Sequence, residues 1–259
     1  MTWTTRQRSD LGGVSAIVAG AGPKIVLIHG VGLRAEAWNA QIDALAPYFS
    51  VAAVDMPGHG ESPRLPDGAE LHEYATAIGA VLNEPAIVVG HSMGAMVALD
   101  IARQNPDLVL GVGALNAIFE RTPAAAQAIL ARAARLDGVS QTDPSVALER
   151  WFGQAASSAR VACGDWLRAA DPAGYRAAYT TFAHEDGPTR ATLENLACPA
   201  LFMTGSLEPN STPDMSYAMA QLAPLGRAMI VEGAAHMMPM THAAQVCAAL
   251  LDLAQEALA

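Results

Sequence analysis

Short, uninterrupted apolar runs alternate along this chain with longer Ala-rich stretches. Runs without a polar residue suit strands buried on both faces, as in a parallel sheet, and the longer stretches carry the i, i+3, i+4 spacing of crossover helices. The pattern predicts an early antiparallel strand at Val14–Ala19, then strands at Lys24–Ile28, Val51–Val54, Ile87–Val89, Leu108–Leu115, Ala200–Thr204 and Ala228–Val231. Helices are predicted at Ala35–Leu45, Leu71–Leu82, Ala95–Gln104, Pro213–Leu222 and Thr241–Leu253. Leu71, Ala75, Ile78 and Leu82 share one face, and the helix from Ala95 must end before Pro106.

Between residues 117 and 188 the strand pattern stops. Pro123, Gly138, Pro144, Gly153, Gly164, Pro172 and Gly174 interrupt Ala-rich helical stretches, and Trp151, Phe152, Trp166, Tyr175, Tyr179 and Phe182 gather there. The segment reads as a helical insertion. The expected division is an α/β core formed by residues 1–116 and 189–259, with residues 117–188 inserted as a cap. There is no internal repeat and no linker long enough to separate domains.

Composition narrows the function classes. The 259 residues are 52% hydrophobic and 15% charged, enough for a large core and incompatible with a mainly disordered chain. Lys plus Arg number 15 against 25 Asp plus Glu, a formal charge of −10. That balance argues against nucleic acid and against an anionic membrane surface as partners. A small-molecule substrate is the expected partner, and a homodimer is left open. Cys163, Cys198 and Cys247 are odd in number, far apart and match no metal spacing, so they read as buried hydrophobes in a reducing compartment. Residues 1–10 lack the apolar run of a signal peptide, and no stretch is long enough to span a bilayer. The expected location is the cytoplasm.

The chemistry begins at Gly90-His91-Ser92-Met93-Gly94, a G-x-S-x-G directly between a predicted strand and helix. A sharp strand-to-helix turn there lifts a serine hydroxyl above the sheet, at a helix N-terminus that favours a developing anion. A strand end followed by an N-cap serine is the plainer alternative. A serine nucleophile needs a base. Of seven histidines, His236 follows the last predicted strand, where an open sheet gathers catalytic groups. His72, His184 and His242 have no such setting, and His242 falls within the predicted last helix. The acid that orients the base is expected in the loop after the Leu201–Thr204 strand. Glu208 is the choice, Asp214 the runner-up, and Glu120 a remote third. Backbone amides of Met93 and Val31, the latter in His29-Gly30-Val31-Gly32, are the expected oxyanion donors.

Taken together, Ile28–Gly32, Trp38, Asp55-Met56-Pro57-Gly58-His59-Gly60-Glu61-Ser62, Gly90–Gly94, the Gly205–Pro213 loop and Gly233-Ala234-Ala235-His236 resemble the α/β-hydrolase superfamily over nearly the whole chain. Asp171-Pro172-Ala173-Gly174-Tyr175 and Phe182-Ala183 resemble the cap of enol-lactonases and related small hydrolases. The resemblance implies a mostly parallel, eight-stranded sheet with helices on both faces and a helical cap. It also implies a Ser-His-acid hydrolase of small carboxylic esters or lactones that works through an acyl-enzyme without cofactor or metal. It makes the Asp55–Ser62 cluster a structural turn. Glu208 departs from the family's usual Asp and, being one methylene longer, must sit further back or yield its role to another carboxylate. Gly32, Arg34, Trp151, Trp166, Tyr175 and Met237 are candidate substrate-binding residues, with Phe152, Tyr179, Met93 and Met238 beside them. Arg34 either meets a substrate carboxylate or is a solvated helix-start arginine. Rival activities are a C–C bond hydrolase of vinylogous diketones, a cofactor-free perhydrolase or haloperoxidase, and a non-catalytic ligand receptor.

Overall fold

The apolar runs become strands of one sheet in the computed structural model, which describes residues 3–141, 143–154 and 156–259. In chain order they are β1 (Ser9–Asp10), β2 (Ser15–Ala19), β3 (Lys24–Ile28), β4 (Ser50–Val54), β5 (Ala86–His91), β6 (Val109–Leu115), β7 (Ala200–Gly205) and β8 (Gly226–Val231). The eight strands lie in the order β1-β2-β4-β3-β5-β6-β7-β8. β1 and β2 pair antiparallel, as do β2 and β4, and every later pairing is parallel. The helices are α1 (Asn39–Leu45), α2 (Leu71–Gly79), α3 (Met93–Gln104), α4 (Pro123–Ala133), α5 (Ser145–Phe152), α6 (Ser158–Ala169), α7 (Pro172–His184), α8 (Arg190–Glu194), α9 (Pro213–Leu222), α10 (Met238–Thr241) and α11 (Ala243–Ala257).

Strand side chains alternate between faces, so the unbroken apolar runs feed two cores at once. Val26, Ile28 and Val88 bury against Tyr74 and Ile78 of α2, Val97 and Ile101 of α3 and Met219 of α9. Ile25, Leu27, Ile87 and Val89 bury against Ile42 and Leu45 of α1 and Val246, Leu250 and Leu253 of α11. Each such aliphatic side chain contributes about 1.5–3 kcal/mol on removal from water. The sheet is therefore a rigid platform for whatever its loops carry.

Several boundaries differ from the sequence pattern. Residues 35–45 divide into a 3-10 turn, Ala35–Trp38, and α1, because the Ala35 amide is tied 2.8 Å from Asp55 Oδ1. Helix α2 ends at Gly79, and α3 begins at Met93, with Ser92 as its N-cap. The expected Thr241–Leu253 helix is two elements: Pro239 sits in the first turn of α10, while α11 runs on to Ala257. His242 lies at that junction, not inside a helix. The short edge strand β1, Ser9–Asp10, is exposed and carries no apolar signal in the sequence.

Pro123 and Pro172 are helix starts, not interruptions. Each stands at the first helical position, behind Thr122 and Asp171, whose side chains accept first-turn amides. Helices α4 to α8 all lie between β6 and β7, and the helical run continues through α8, beyond residue 188. Leu148, Trp151, Cys163 and Leu167 from these helices pack with Leu33, Ala37, Met237 and Met240 from the loops beyond β3 and β8. Ala133, Tyr179 and Ala183 pack with Val31. The inserted helices thus lie over the carboxyl ends of the strands. Among the described residues, no helix is long and apolar enough to cross a membrane.

Candidate active site

Ser92 occupies the turn between β5 and α3 with φ 58° and ψ −121°. A non-glycine residue in that region carries roughly 1–3 kcal/mol of backbone strain, which the surrounding packing must offset. The flanking glycines make the turn feasible. A Cβ on Gly90 would lie 1.9 Å from the Gly94 carbonyl oxygen, and one on Gly94 would lie 2.3 Å from that of Ile28. Strand and helix therefore touch backbone to backbone, and Ser92 is left half-buried at the carboxyl end of the central strand. The Met93 amide opens α3, so it is one of the amides a helix leaves without an internal acceptor.

Two neighbouring strands deliver His236 and Glu208. The loops after β7 and β8 are stitched together: the Leu207 amide donates to Ala234 O at 2.9 Å, and the Gly233 amide to Ser206 Oγ at 2.9 Å. Thr204 Oγ1 closes the first loop by donating to Ser211 O at 2.7 Å. This fixes Glu208 Oε2 2.8 Å from His236 Nδ1. The Glu208 side chain is fully buried and that of His236 is 15% exposed. Glu208 Oε1 accepts from the Asn210 amide at 2.8 Å and from Asn210 Nδ2 at 3.3 Å. Burial alone would raise the Glu208 pKa, but the His236 ring and the Asn210 and Ser211 amides outweigh it and hold the carboxyl down at about 2. A carboxylate only accepts, so His236 carries its proton on Nδ1, and Nε2 is the nitrogen left to take one.

The extra methylene of Glu208 therefore does not displace it from the histidine. The two other carboxylates are elsewhere. Asp214 sits in the first turn of α9, and Glu120 is paired with Arg190 on the surface at 2.7 Å.

His91, the residue before Ser92, ties the serine turn to the histidine. Its Nε2 donates to the main-chain oxygen of His236 at 2.8 Å, and the two rings lie 4.9 Å apart. Burial and the neighbouring His236 ring push the His91 pKa down to about 3, so it is a neutral strut. Its position in the motif gave no signal of this role, because the acceptor is 145 residues away.

The loop after β3 is pinned by two more buried imidazoles. His29 Nδ1 donates to Gly30 O at 2.8 Å while Nε2 accepts the Met56 amide at 3.0 Å. His59 Nε2 accepts the Gly32 amide at 3.0 Å. Burial lowers both pKa values, that of His59 to about 3. Gly30 abuts the Ser92 turn, since a Cβ there would lie 2.9 Å from Ser92 Cβ. Val31, between these anchors, is thus held beside Ser92.

The candidate substrate residues separate into groups. Trp151 stacks on the His236 ring at 5.7 Å, and Met237 is buried in the same cluster as Trp151. Tyr175 covers Gly32, where a Cβ would come within 2.8 Å of its ring and 2.5 Å of Leu167. Arg34 is not turned to the site, because Nε donates to Glu36 Oε2 at 2.8 Å. Glu36 belongs to a buried network in which Arg8 also binds Asp55, at 2.7 and 2.9 Å respectively. Trp166 lines a separate cavity of about 120 Å³ with Leu33, Arg34 and His59. A cavity of about 710 Å³ lies between residues 64–70 and α7 and includes none of the residues around Ser92. Among the described residues no group of three or more His, Cys, Asp and Glu is placed to hold a metal ion. The Asp55–Ser62 cluster is a turn: Asp55 accepts the Glu61 amide at 3.1 Å and Ser62 Oγ donates to Asp55 O at 2.7 Å.

Comparison with known proteins bears on the family and the fold. Residues 25–250 match the model of the alpha/beta hydrolase family. The (E)-2-((N-methylformamido)methylene)succinate hydrolase of Acinetobacter baylyi is 39% identical over 230 residues, 86% of each chain. A thermophilic esterase from Thermogutta terrifontis superposes with a TM-score of 0.85 at 24% identity, over 97% of this chain and 99% of its own. The enol-lactonase of Burkholderia xenovorans LB400 does so with a TM-score of 0.82 at 22% identity, over 96% and 100%. At those identities the two structures establish a shared fold.

Proposed function

Because the chain belongs to the alpha/beta hydrolase family, we propose that it is a serine hydrolase cleaving a small carboxylic ester or lactone through an acyl-enzyme. The observation that carries the reading is the anchoring of His236 from both ends, its ring on Glu208 at 2.8 Å and its carbonyl on His91, the neighbour of Ser92, at 2.8 Å.

The steps follow from the groups present. Ser92 Oγ bonds to the substrate carbonyl carbon as its proton passes to His236 Nε2, and the carbonyl electron pair moves onto oxygen. The amides of Met93 and Val31 receive that oxyanion at the positive end of α3. Glu208, already ionised, stabilises the imidazolium. Collapse expels the alkoxide, which leaves as the alcohol with the His236 proton. A water then attacks the acyl-Ser92 by the same route, giving the acid and restoring the serine. Trp151, Tyr175 and Met237 supply an apolar wall.

A second reading is cleavage of an activated amide by the same relay. It is favoured by the 39% identity to a hydrolase whose name carries an N-methylformamido group. The test is a panel of 4-nitrophenyl esters, lactones, N-formyl enamines, dienol ketones and peracid formation, run on the wild type and Ser92→Ala. Ester or lactone turnover should be fastest and should vanish in Ser92→Ala with an unchanged melting temperature. Full activity in that variant overturns the mechanism. Dienol bleaching or peracid formation ahead of every ester overturns the substrate class. Ligand binding without any turnover supports a receptor.

A further inference from the structure

His236 is enclosed on more sides than a proton relay by itself requires. Its Nδ1 is held 2.8 Å from Glu208 Oε2, and the His91 ring approaches it at 4.9 Å, tilted by 52°. Trp151, near the end of α5, lies on the imidazole with ring centroids 5.7 Å apart and planes 24° from parallel. The indole is 7% exposed and packs with Leu148, Leu167, Met237 and Met240. Its end of the helix is tied down as well, since Arg160 Nη1 donates to Leu148 O at 2.8 Å and also reaches Gly153 O. Apolar packing alone would be satisfied by any side chain of that bulk and does not require the two rings to lie face to face. A face-on indole is instead the arrangement in which an aromatic quadrupole attracts a cation within about 6 Å of its centroid.

A general base must be neutral to accept the serine proton, and it becomes a cation only once Nε2 has taken that proton. An attraction for the cation is absent before the transfer and present after it, so it lowers the barrier without tightening substrate binding. The other ionisable groups that act on the ring are Glu208, from the loop after β7, and His91, from β5, which burial holds neutral. Arg150, beside Trp151 on α5, is a fixed positive charge in electrostatic range of Glu208. The turn into α10 brings Met237 and Met240, which carry no charge. We propose that Trp151 stabilises the His236 imidazolium through the face of its indole, so that the proton relay reaches full strength only with α5 seated over the sheet. The proposal rests on the serine-hydrolase reading above and adds to it how the inserted helices govern that site.

The test alters the indole face while keeping its size. Mono- and difluorinated tryptophan replace all four tryptophans of the chain, in the wild type and in Trp151→Phe. With a 4-nitrophenyl ester, kcat should fall stepwise with fluorination in the wild type and not in Trp151→Phe. Trp151→Leu should lower kcat roughly three- to thirtyfold with KM within about threefold, and should move the acid limb of kcat/KM to lower pH by about 0.5–1.5 units. Trp151→Phe should retain part of both. Titration of carbon-13-labelled His236 by NMR, assigned by loss of its signal in His236→Gln, needs no turnover, and its midpoint should fall in Trp151→Leu by the same shift. An unchanged midpoint in Trp151→Leu, a rise in KM with kcat kept, or equal rates with plain and fluorinated tryptophan overturns the proposal. If Trp151→Leu does not fold, the fluorinated wild type, at an unchanged melting temperature, carries both readouts. A lowered midpoint without any ester turnover leaves the stack standing and removes the hydrolase. Ester turnover with an unchanged midpoint does the reverse.

Discussion

Replacing Glu208 by Gln removes one formal charge from a fully buried position while keeping the side chain's length. Oε1 can still accept the Asn210 amide at 2.8 Å if the new amide places its oxygen there. Its NH2 group then faces His236 Nδ1, where the carboxylate oxygen stood at 2.8 Å. Two donors cannot share that contact, so the imidazole moves its proton to Nε2 and can no longer accept one from Ser92. In serine enzymes the wrong tautomer costs about 10⁴-fold in kcat, and a loss of roughly 10³–10⁴ is expected here. Stability changes too. The Glu208 pKa is depressed from 4.5 to about 2, which corresponds to about 3 kcal/mol of folding stability. A depressed carboxyl contributes that stability above its unfolded pKa and loses it as pH falls through the folded value. Glu208→Gln should therefore melt roughly 6–12 °C below the wild type from pH 5 to 8, with the gap narrowing from about pH 4.5 towards pH 2. Stopped-flow hydrolysis of a 4-nitrophenyl ester and calorimetry across that pH range are the assays. A variant within tenfold of wild-type kcat, or a melting gap that widens as pH falls, refutes the assignment of Glu208 as the buried, ionised partner of His236.

Two further perturbations bear on the scaffold of the site. His91→Ala deletes the 2.8 Å bond to the His236 carbonyl and should lower kcat about tenfold with little change in KM. His91→Gln, whose amide nitrogen reaches a similar point, should restore most of it, and failure of that rescue in a folded protein argues against a positioning role. Gly32→Ala must hold φ +78° and place a methyl 2.5 Å from Leu167 and 2.8 Å from Tyr175. It should destabilise by about 1–3 kcal/mol and lower kcat/KM through the displaced Val31 amide, as read by urea denaturation and ester kinetics. Unchanged values in both assays would exclude a tight fit of the inserted helices on this loop.

What could be read from the sequence was whatever local pattern encodes. The apolar run of β5 followed by the helical spacing of α3 located the Ser92 turn without reference to any distant residue. Glu208 and His236 were also legible, although they lie 28 residues apart. Each follows a strand of its own, and successive parallel strands placed side by side bring their following loops together. Contacts that depend on long-range packing were not legible. The bond of His91 to His236, the stack of Trp151 on the same ring and the tie of Arg8 to Asp55 join segments with no shared pattern. Arg34 illustrates the converse. Beside the His29–Gly32 loop it reads in sequence as an anion ligand, yet Glu36 two residues on takes its charge. Helix ends shifted where tertiary bonds competed with propensity, as at Ala35, held by Asp55, and at the break between α10 and α11.

The most direct measurement is mass-spectrometric mapping of a fluorophosphonate adduct on the folded protein, with its rate followed in wild type and His236→Ala. The relay predicts one adduct, on the tryptic peptide containing Ser92, formed at least a hundredfold faster in the wild type than in His236→Ala. An adduct on another serine, or equal rates in the two proteins, would contradict it.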